Sequence, residues 1–202
     1  MSKYLAPSVM NEVLDNYDEL IGEVGESREI AILFSDIRSF TTISESYPAE
    51  RVVDLLNQYL ERMIEVVFDN RGTLDKIIGD AIMAFWGAPN PEERKVHLAM
   101  RTALQMIDRL GDLNRRFEEQ GDAPIRIGVG VHTGEMIVGN IGSDQRLDYT
   151  AIGDNVNLGS RIEGLTKYYK VPILASESSY EAMKDDFTYV FLDTVAVKGR
   201  TQ

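Results

Sequence analysis

The chain has 202 residues, of which 21 are basic and 33 acidic, for a formal net charge of −12. This length predicts one domain with a sizeable core and an appended helix. The acidic balance argues against nucleic-acid partners and anionic membrane surfaces, because proteins bind both through clustered Lys and Arg, and the absence of Cys excludes disulfides, thiol nucleophiles and Cys-ligated zinc.

The N-terminal segment has the pattern of a helix followed by a linker. Apolar residues recur at roughly helical spacing over residues 4–21, and the Gly-containing segment 22–27 predicts a linker. We therefore divide the chain into 1–28, a helix and linker to an upstream regulatory sensor domain, and 29–202, the main domain. The alternative is a helix packed on its own domain. No apolar run has the length of a transmembrane helix and no signal peptide is visible, so we predict no membrane segment in this chain and a cytoplasmic location.

Hydrophobic periodicity predicts alternating strands and helices over the main domain. An unbroken apolar run predicts a buried strand at Glu29–Phe34, and an apolar stripe predicts a long helix from Pro48 to about Phe68. The further predicted elements are, in chain order, strands at Thr73–Ile78 and Ala81–Trp86 joined by a Gly79-Asp80 hairpin, a helix from Pro91 to about Glu119, a pair of strands at Ile125–Val131 and Met136–Ile141 joined around Thr133-Gly134, a helix at Asp154–Tyr168, and strands at Val171–Ala175 and Phe187–Val197 around a short helix. The order β-α-β-β-α-β predicts an α+β fold of the ferredoxin-like type, an antiparallel sheet with helices on one face.

Asp36 and Asp80 each lie where an apolar run ends at a turn-forming segment. In a β-α-β-hairpin unit the first strand and the hairpin are neighbours, so the two carboxylates can meet at one edge of the sheet. Paired carboxylates suit Mg²⁺ held together with the phosphates of a substrate. For each residue alone the alternative is structural: Asp36 caps the following helix and Asp80 satisfies a turn. Their common location favours a metal site.

Two other segments carry groups that suit a nucleotide. No glycine-rich phosphate loop of the Walker or dinucleotide-binding type occurs, so a phosphate cradle would come from the turn at 37–41, whose backbone N–H groups precede a helix. In the segment 148–161, Asn157 and Arg161 are four residues apart and share one helix face. An amide beside a guanidinium suits a ribose and a phosphorane, and the alternative is a solvated helix face.

The segments Phe34–Thr41, Lys76–Ile82 and Asp148–Arg161 together resemble the class III nucleotidyl cyclases, and the resemblance extends over nearly the whole chain. It implies the class III cyclase homology domain, with 29–202 as the catalytic domain. Members of the family usually continue past the segment that ends at Arg200 with a further strand, which implies that the C-terminal strand is truncated here.

The resemblance also implies roles for residues around the metal and the phosphates. Asp36 and Asp80 would bind two Mg²⁺ or Mn²⁺ ions per active site, joined by the backbone carbonyl of Ile37. The groups that would contact the triphosphate are the amides of Phe40 and Thr41 and, at the terminal phosphates, Lys198.

A second set of residues is implied for the base and the ribose. Lys76 and Thr150 would read the purine, and this pair goes with adenine. Lys offers only donors, which suit N1 of adenine, and Thr150 can accept from the adenine amino group. Asn157 would orient the ribose and Arg161 would stabilise the transition state. The base would also be lined by backbone groups of Ala151 and Ile152.

The activity implied is that of an adenylyl cyclase, a phosphorus–oxygen lyase that converts ATP to 3′,5′-cyclic AMP and pyrophosphate. In this family the metal aspartates come from one subunit and the purine, ribose and Arg residues from the other. This chain carries both sets, which implies a homodimer with two shared active sites. Thr150 also resembles the bicarbonate-stimulated subgroup, so stimulation by bicarbonate is a hypothesis. The alternatives are a guanylyl cyclase and a catalytically silent nucleotide-binding or dimerisation module. A diguanylate-forming enzyme is disfavoured, because its Gly-Gly-Asp/Glu-Glu-Phe hairpin is absent.

Overall fold

The computed structural model describes residues 25–143 and 145–195. The helix predicted at 4–21 and Lys198 lie outside the described residues. The strands are β1 (Glu26–Ile37), β2 (Thr73–Ile78), β3 (Ala81–Trp86), β4 (Ile127–Ser143), β5 (Arg146–Ile152) and β6 (Ile173–Ala175). The helices are α1 (Phe40–Ser46), α2 (Ala49–Asp69), α3 (Lys95–Glu119), α4 (Asp154–Tyr169) and α5 (Glu177–Met183). Within these ranges no helix combines the length and the apolarity that a bilayer span requires.

The sheet has the strand order β2-β3-β1-β4-β5, and β6 pairs with β4 in parallel. Its first four strands, with α2 and α3 as the crossover helices, form the ferredoxin-like unit, so the predicted fold class is confirmed. One face of the sheet packs against α2 and α3. This main core is built on large side chains that are at most 1% exposed, among them Leu33, Tyr59, Trp86, Met106 and Phe117.

Helix α4 follows the ferredoxin-like unit in the chain and lies on the opposite face of the sheet from α2 and α3. Glycines on β4 explain the close approach, because they remove side chains that α4 would otherwise meet. A Cβ on Gly130 would lie 2.3 Å from the backbone nitrogen of Glu163 in α4, and one on Gly134 would lie 2.7 Å from Nδ2 of Asn155. A smaller apolar cluster on this face includes Ile32 and Phe34.

The contact between Gly130 and α4 yields a stability prediction. Gly130→Ala is expected to lower the free energy of unfolding by about 1–3 kcal/mol, because helix backbone cannot give way as a flexible side chain does. Gly111→Ala is the matched control: nothing lies within 4 Å of a Cβ there, and the residue is inside α3. That control is expected to be neutral or stabilising by roughly 0.5–1 kcal/mol. Urea denaturation of both variants measures the difference, and equal stabilities would contradict the proposed backbone contact.

Strand β4 is continuous through Thr133-Gly134, so the predicted pair of strands joined there is wrong. Both residues pair in register with β1, Thr133 with Ala31 and Gly134 with Ile30. The Thr133 hydroxyl also donates to the Ile30 carbonyl at 3.0 Å. A 12-residue β1 offers hydrogen-bonding groups to both halves of β4, and this pairing outweighs the local preference of Gly for a turn.

Strand β5 is not among the predicted elements, and it pairs with the last seven residues of β4, from Ile137↔Ile152 to Ser143↔Arg146. Polar residues and an exposed outer face hide its strand character, because a half-polar run carries little hydrophobic signal. Its C-terminal end places Thr150 and Ala151 next to β2.

The strand predicted at Phe187–Val197 is absent over 187–195, the part of it that the structure describes. Phe187 and Tyr189 pack on the main core, and their rings contact His97 and Tyr180. Ring packing therefore replaces strand pairing here. Apolar residues alone do not make a strand, because a strand also needs a neighbouring edge for its N–H and C=O groups.

Candidate active site

The end of β1 and the tip of the β2–β3 hairpin bring two carboxylates together, as predicted. Oδ2 of Asp80 accepts a hydrogen bond of 3.1 Å from the backbone N–H of Ile37, and Asp36 lies within hydrogen-bonding reach of Asp80. Gly79, at φ +65°, allows the tight turn that places Asp80 at the tip. Asp36 is not the N-cap of α1, because Ser39 occupies that position. The hydrogen bond that Asp80 accepts from Ile37 joins the hairpin tip to the end of β1. Asp36 therefore does not cap α1, whereas Asp80 both bonds a backbone N–H of its own turn and reaches across to Ile37.

The electrostatics of the pair suit a cation. Burial, a hydrogen bond with Asp36 and the negative charge of Asp36 raise the pKa of Asp80 to about 6. Two adjacent carboxylates repel each other when both are ionised, and a divalent cation between them removes that cost. No group of three or more Asp, Glu, His or Cys residues that could bind a metal occurs in the described part of the chain. Further ligands would then be backbone oxygens, water or substrate phosphates.

Arg38 and Glu163 form an ion pair beside the two aspartates, with Nη1 to Oε1 at 3.0 Å. A Cβ on Gly128, the register partner of Asp36, would overlap the Arg38 guanidinium, so the glycine leaves space for it. Burial raises the pKa of Glu163, Arg38 opposes the increase, and the charges of Asp36 and Asp80 add to it. Glu163 therefore lies within electrostatic reach of the carboxylate pair.

A second group of polar side chains joins β2 to β5. Lys76 Nζ donates to Oγ1 of Thr150 at 3.0 Å, so the two predicted purine readers are in direct contact. Asp75 accepts from the same hydroxyl at 2.8 and 3.0 Å and from the backbone N–H of Ala151 at 3.2 Å. The Asp75 side chain is fully buried and also pairs with Lys76 Nζ at 3.1 Å.

Asn157 and Arg161 both lie exposed on α4, one turn apart, as predicted. Neither side chain has a hydrogen bond or ion pair to another described residue. Arg161 and Glu163 differ by about 200° around the helix axis, since each residue advances the helix by roughly 100°. Glu163 interacts electrostatically with the carboxylates of its own chain, so Arg161 starts from the opposite side of α4.

The other predicted residues fall at the edges of these two groups. Phe40 and Thr41 begin α1, where the first turn leaves N–H groups without intrahelical partners. Ile152 is exposed at the end of β5. His132, which is not a predicted site residue, is buried, and its ring nitrogens contact Ser176 Oγ and Asn155 Oδ1.

Three charged residues near these groups are absent from the predicted set: Asp75, Arg38 and Glu163. Asp75 had a local signal, since it is a carboxylate beside Lys76 in a predicted strand. Arg38 and Glu163 had none, because their pairing requires the end of β1 to meet a helix more than a hundred residues later.

Comparisons with known proteins match most of this chain to cyclases. A family model of the adenylate and guanylate cyclase catalytic domain matches residues 23–202. Adenylate cyclase 1 of Rhizobium meliloti (strain 1021) is 38% identical over 180 residues, which are 89% of this chain and 27% of that protein. The adenylate cyclase of Anabaena cylindrica is 37% identical over 189 residues, 89% of this chain and 37% of that protein. The chain thus spans well under half of the length of either relative.

Solved structures with the same fold include cyclases named for either nucleotide. The guanylyl cyclase Cya2 matches with a TM-score of 0.83 and 36% identity, over 89% of this chain and 90% of that one. The adenylyl cyclase CyaB from P. aeruginosa matches with a TM-score of 0.83 and 35% identity, over 89% and 92%. Overall similarity therefore does not distinguish ATP from GTP, and the residues facing the base must do so.

Proposed function

The chain belongs to the family of adenylate and guanylate cyclase catalytic domains, and on this premise we propose that it is an adenylyl cyclase that converts ATP to 3′,5′-cyclic AMP and pyrophosphate. The observation that carries the proposal is the carboxylate pair. Asp36 and Asp80 meet at one edge of the sheet, and the backbone of Ile37 holds Asp80 in place. This arrangement fits two divalent cations, Mg²⁺ or Mn²⁺, bound by both aspartates and the Ile37 carbonyl.

The reaction transfers an α-phosphoryl group within one nucleotide. The ribose 3′-hydroxyl loses its proton to water, its oxygen bonds to the α-phosphorus, and the bond from the α-phosphorus to the bridging oxygen of the β-phosphate breaks to release pyrophosphate. Bound divalent cations supply Lewis acidity, which favours the ionised 3′-oxygen and neutralises the leaving group. Arg161 offers donors to the charge that grows on the α-phosphate oxygens, and Asn157 orients the ribose. The amides of Phe40 and Thr41, with Lys198, would contact the triphosphate.

The choice of ATP rests on Lys76 and Thr150. Adenine has an acceptor at N1 and a donor amino group at C6, whereas guanine has a donor N1–H and an acceptor O6. Lys76 offers only donors, so it matches N1 of adenine and faces a second donor on guanine. The contact between Lys76 and Thr150 supports a joint reading of this edge, with backbone groups of Ala151 and Ile152 beside the ring.

We propose that the active enzyme is a homodimer whose two sites each combine residues of both subunits. The start of Arg161 on the side of α4 opposite to Glu163 supports a site completed by a partner. Exposed apolar side chains near the purine readers support an interface there. They are Ile77 and Ile78 on β2, the cross-strand pair Ile137 and Ile152, and Leu147 on β5.

Parallel turnover of ATP and GTP, each with Mg²⁺ and with Mn²⁺, tests the proposed activity. The kcat/KM for forming cyclic AMP from ATP is expected to exceed that for forming cyclic GMP from GTP by at least about tenfold. The reason is that guanine reverses the donors and acceptors of adenine and leaves polar groups of the site unpaired. Cyclic GMP as the main product would identify a guanylyl cyclase, the alternative that the similarity to Cya2 keeps open. No product from either nucleotide would favour a silent nucleotide-binding or dimerisation module.

Two further properties rest on the resemblance alone. Stimulation by bicarbonate is tested in the same assay at constant pH and ionic strength, and unchanged turnover would refute it. Residues 1–28 would connect the catalytic domain at 29–202 to an upstream sensor domain. The small share of each relative that this chain covers is compatible with such a larger protein.

A further inference from the structure

Asp75 is a buried carboxylate that the proposed reaction does not use. Its side chain is fully buried, and its four contacts go to the purine readers or to the backbone beside them. A buried carboxylate with no role is costly, because its desolvation must be offset by well-placed donors. Among the described residues, the donors that contact Asp75 belong to Lys76, Thr150 and Ala151.

A break in the strand pairing explains how two consecutive residues reach the same hydroxyl. Leu74 pairs with Ala84 and Lys76 with Met83, so the register shifts at Asp75. In a regular strand, neighbouring side chains point to opposite faces, and a bulge re-aims one of them. The irregularity thus lets both Asp75 and Lys76 lie within 3.0 Å of Thr150 Oγ1.

The hydrogen-bond inventory of the Thr150 hydroxyl then determines what it can offer a base. A hydroxyl has one proton to donate and two lone pairs that accept. An ionised carboxylate only accepts, so the contact with Asp75 takes the single proton of Thr150. The ammonium group of Lys76 only donates, so it occupies one lone pair. The lone pair that remains makes Thr150 an acceptor towards any further ligand.

We infer that Asp75 is a positioning residue for nucleotide specificity, which makes Thr150 accept from the adenine amino group and prevents it from donating to O6 of guanine. This inference rests on the proposed adenylyl cyclase activity. A threonine hydroxyl alone fits either purine, because it can rotate to donate or accept. The carboxylate of Asp75 removes that freedom, and it also holds Lys76 beside Thr150.

Asp75→Asn preserves the shape of the side chain and weakens this arrangement. The amide oxygen is expected to remain opposite the N–H of Ala151, because the reverse orientation would leave two donors facing each other. The NH₂ then takes the place of Oδ1, 3.0 Å from Thr150 Oγ1, and competes with the 2.8 Å contact from the hydroxyl to the remaining oxygen. The Thr150 proton is therefore no longer held between two carboxylate oxygens, and it becomes more available for O6 of guanine. The same NH₂ faces the ammonium group of Lys76, which weakens the second adenine contact.

The test is the ratio of kcat/KM for ATP to that for GTP in the wild type, Asp75→Asn, Thr150→Val and the double variant. Asp75→Asn is expected to lower the ratio by about tenfold or more, the scale of one or two hydrogen bonds. In the Thr150→Val background, which has no hydroxyl to orient, the same change should lower the ratio by a smaller factor than in the wild type, because only the effect through Lys76 remains. If the role of Asp75 were purely structural, Asp75→Asn would instead lower kcat/KM for ATP and for GTP by the same factor in either background.

The outcomes separate this inference from the proposed function. A wild type that prefers GTP overturns both. A wild type that prefers ATP, together with an unchanged ratio in Asp75→Asn, overturns only the role of Asp75. If Asp75→Asn lowers the ratio as much in the Thr150→Val background as in the wild type, the effect does not act through the Thr150 hydroxyl, and the inference is overturned.

Asp148→Asn is the matched control: it removes an exposed carboxylate from the same strand as Thr150 and should leave the ratio unchanged. If Asp75→Asn does not fold, Asp75→Ala replaces it, since it also frees the hydroxyl proton.

Discussion

Asp36→Asn and Asp80→Asn are each expected to lower cyclic AMP formation by on the order of a thousandfold or more, since a bound cation supplies several kcal/mol of transition-state stabilisation. An amide keeps the size of the carboxyl group but loses the charge that holds the cation. Initial rates at saturating Mg²⁺ and Mn²⁺ measure the loss. Asp112→Asn, which removes an exposed carboxylate on α3, is the control and should keep full activity. More than a tenth of wild-type turnover in either variant would refute the metal assignment.

The melting temperature of Asp80→Asn shows whether this variant is inactive because it lacks the metal site or because it does not fold. The pKa of Asp80 is raised from 3.8 to about 6, so the folded protein favours the protonated carboxyl. The resulting contribution to stability is complete below pH 3.8 and is lost as the pH rises through about 6. An amide at this position does not ionise. With EDTA present, Asp80→Asn is therefore expected to melt above the wild type at pH 7, and the difference should close below pH 4. A lower melting temperature at pH 7 would mean that the carboxylate stabilises the fold.

Mixing two inactive variants, Asp36→Ala and Arg161→Ala, is expected to restore about a quarter of wild-type activity in a two-site homodimer. Random exchange makes half of the dimers mixed. In each mixed dimer one site carries both lesions, and the other combines intact aspartates with an intact Arg161. Arg161 lies on the face of α4 opposite to Glu163, and Glu163 faces the aspartates of its own chain.

The matched control for this experiment mixes Asp36→Ala with Asp80→Ala. Both lesions fall on the same half of a site, so no combination of subunits yields a complete one and activity should stay absent. Sedimentation or mass measurement establishes that mixed dimers form. Mixed dimers of the first pair that remain inactive would contradict the shared site. Restored activity in the control pair would contradict the placement of both aspartates in one half.

Periodicity was sufficient for the elements that bury a continuous apolar face. Helix α2 spans Ala49–Asp69 against a predicted range from Pro48 to about Phe68, and strands β2 and β3 match their predicted bounds. The sequence of each of these elements is sufficient to predict it, because the apolar residues that face the core recur at the helix or strand period. The same reasoning located Asp36 and Asp80, since both lie at ends of such runs.

Local signals failed where pairing with a distant segment decided the outcome. Thr133-Gly134 resembles a turn, yet it continues β4 because β1 supplies partners on both sides of it. The segment after Phe187 has the composition of a strand, yet its described residues pack rings on the core. In each case the free energy of non-local contacts exceeds the small local preference, which is within about 1 kcal/mol for β-propensities.

The sequence by itself determined the family, the ferredoxin-like order of elements and the chemical groups that suit a nucleotide and its metals. It could do so because those properties depend on residue types and on short-range spacing. Only the tertiary structure decided that Asp75 takes the proton of Thr150 and that Glu163, rather than Arg161, is the residue of α4 beside the aspartates of its own chain. Both depend on contacts between residues far apart in the chain, and no local pattern encodes the distances at which such residues meet.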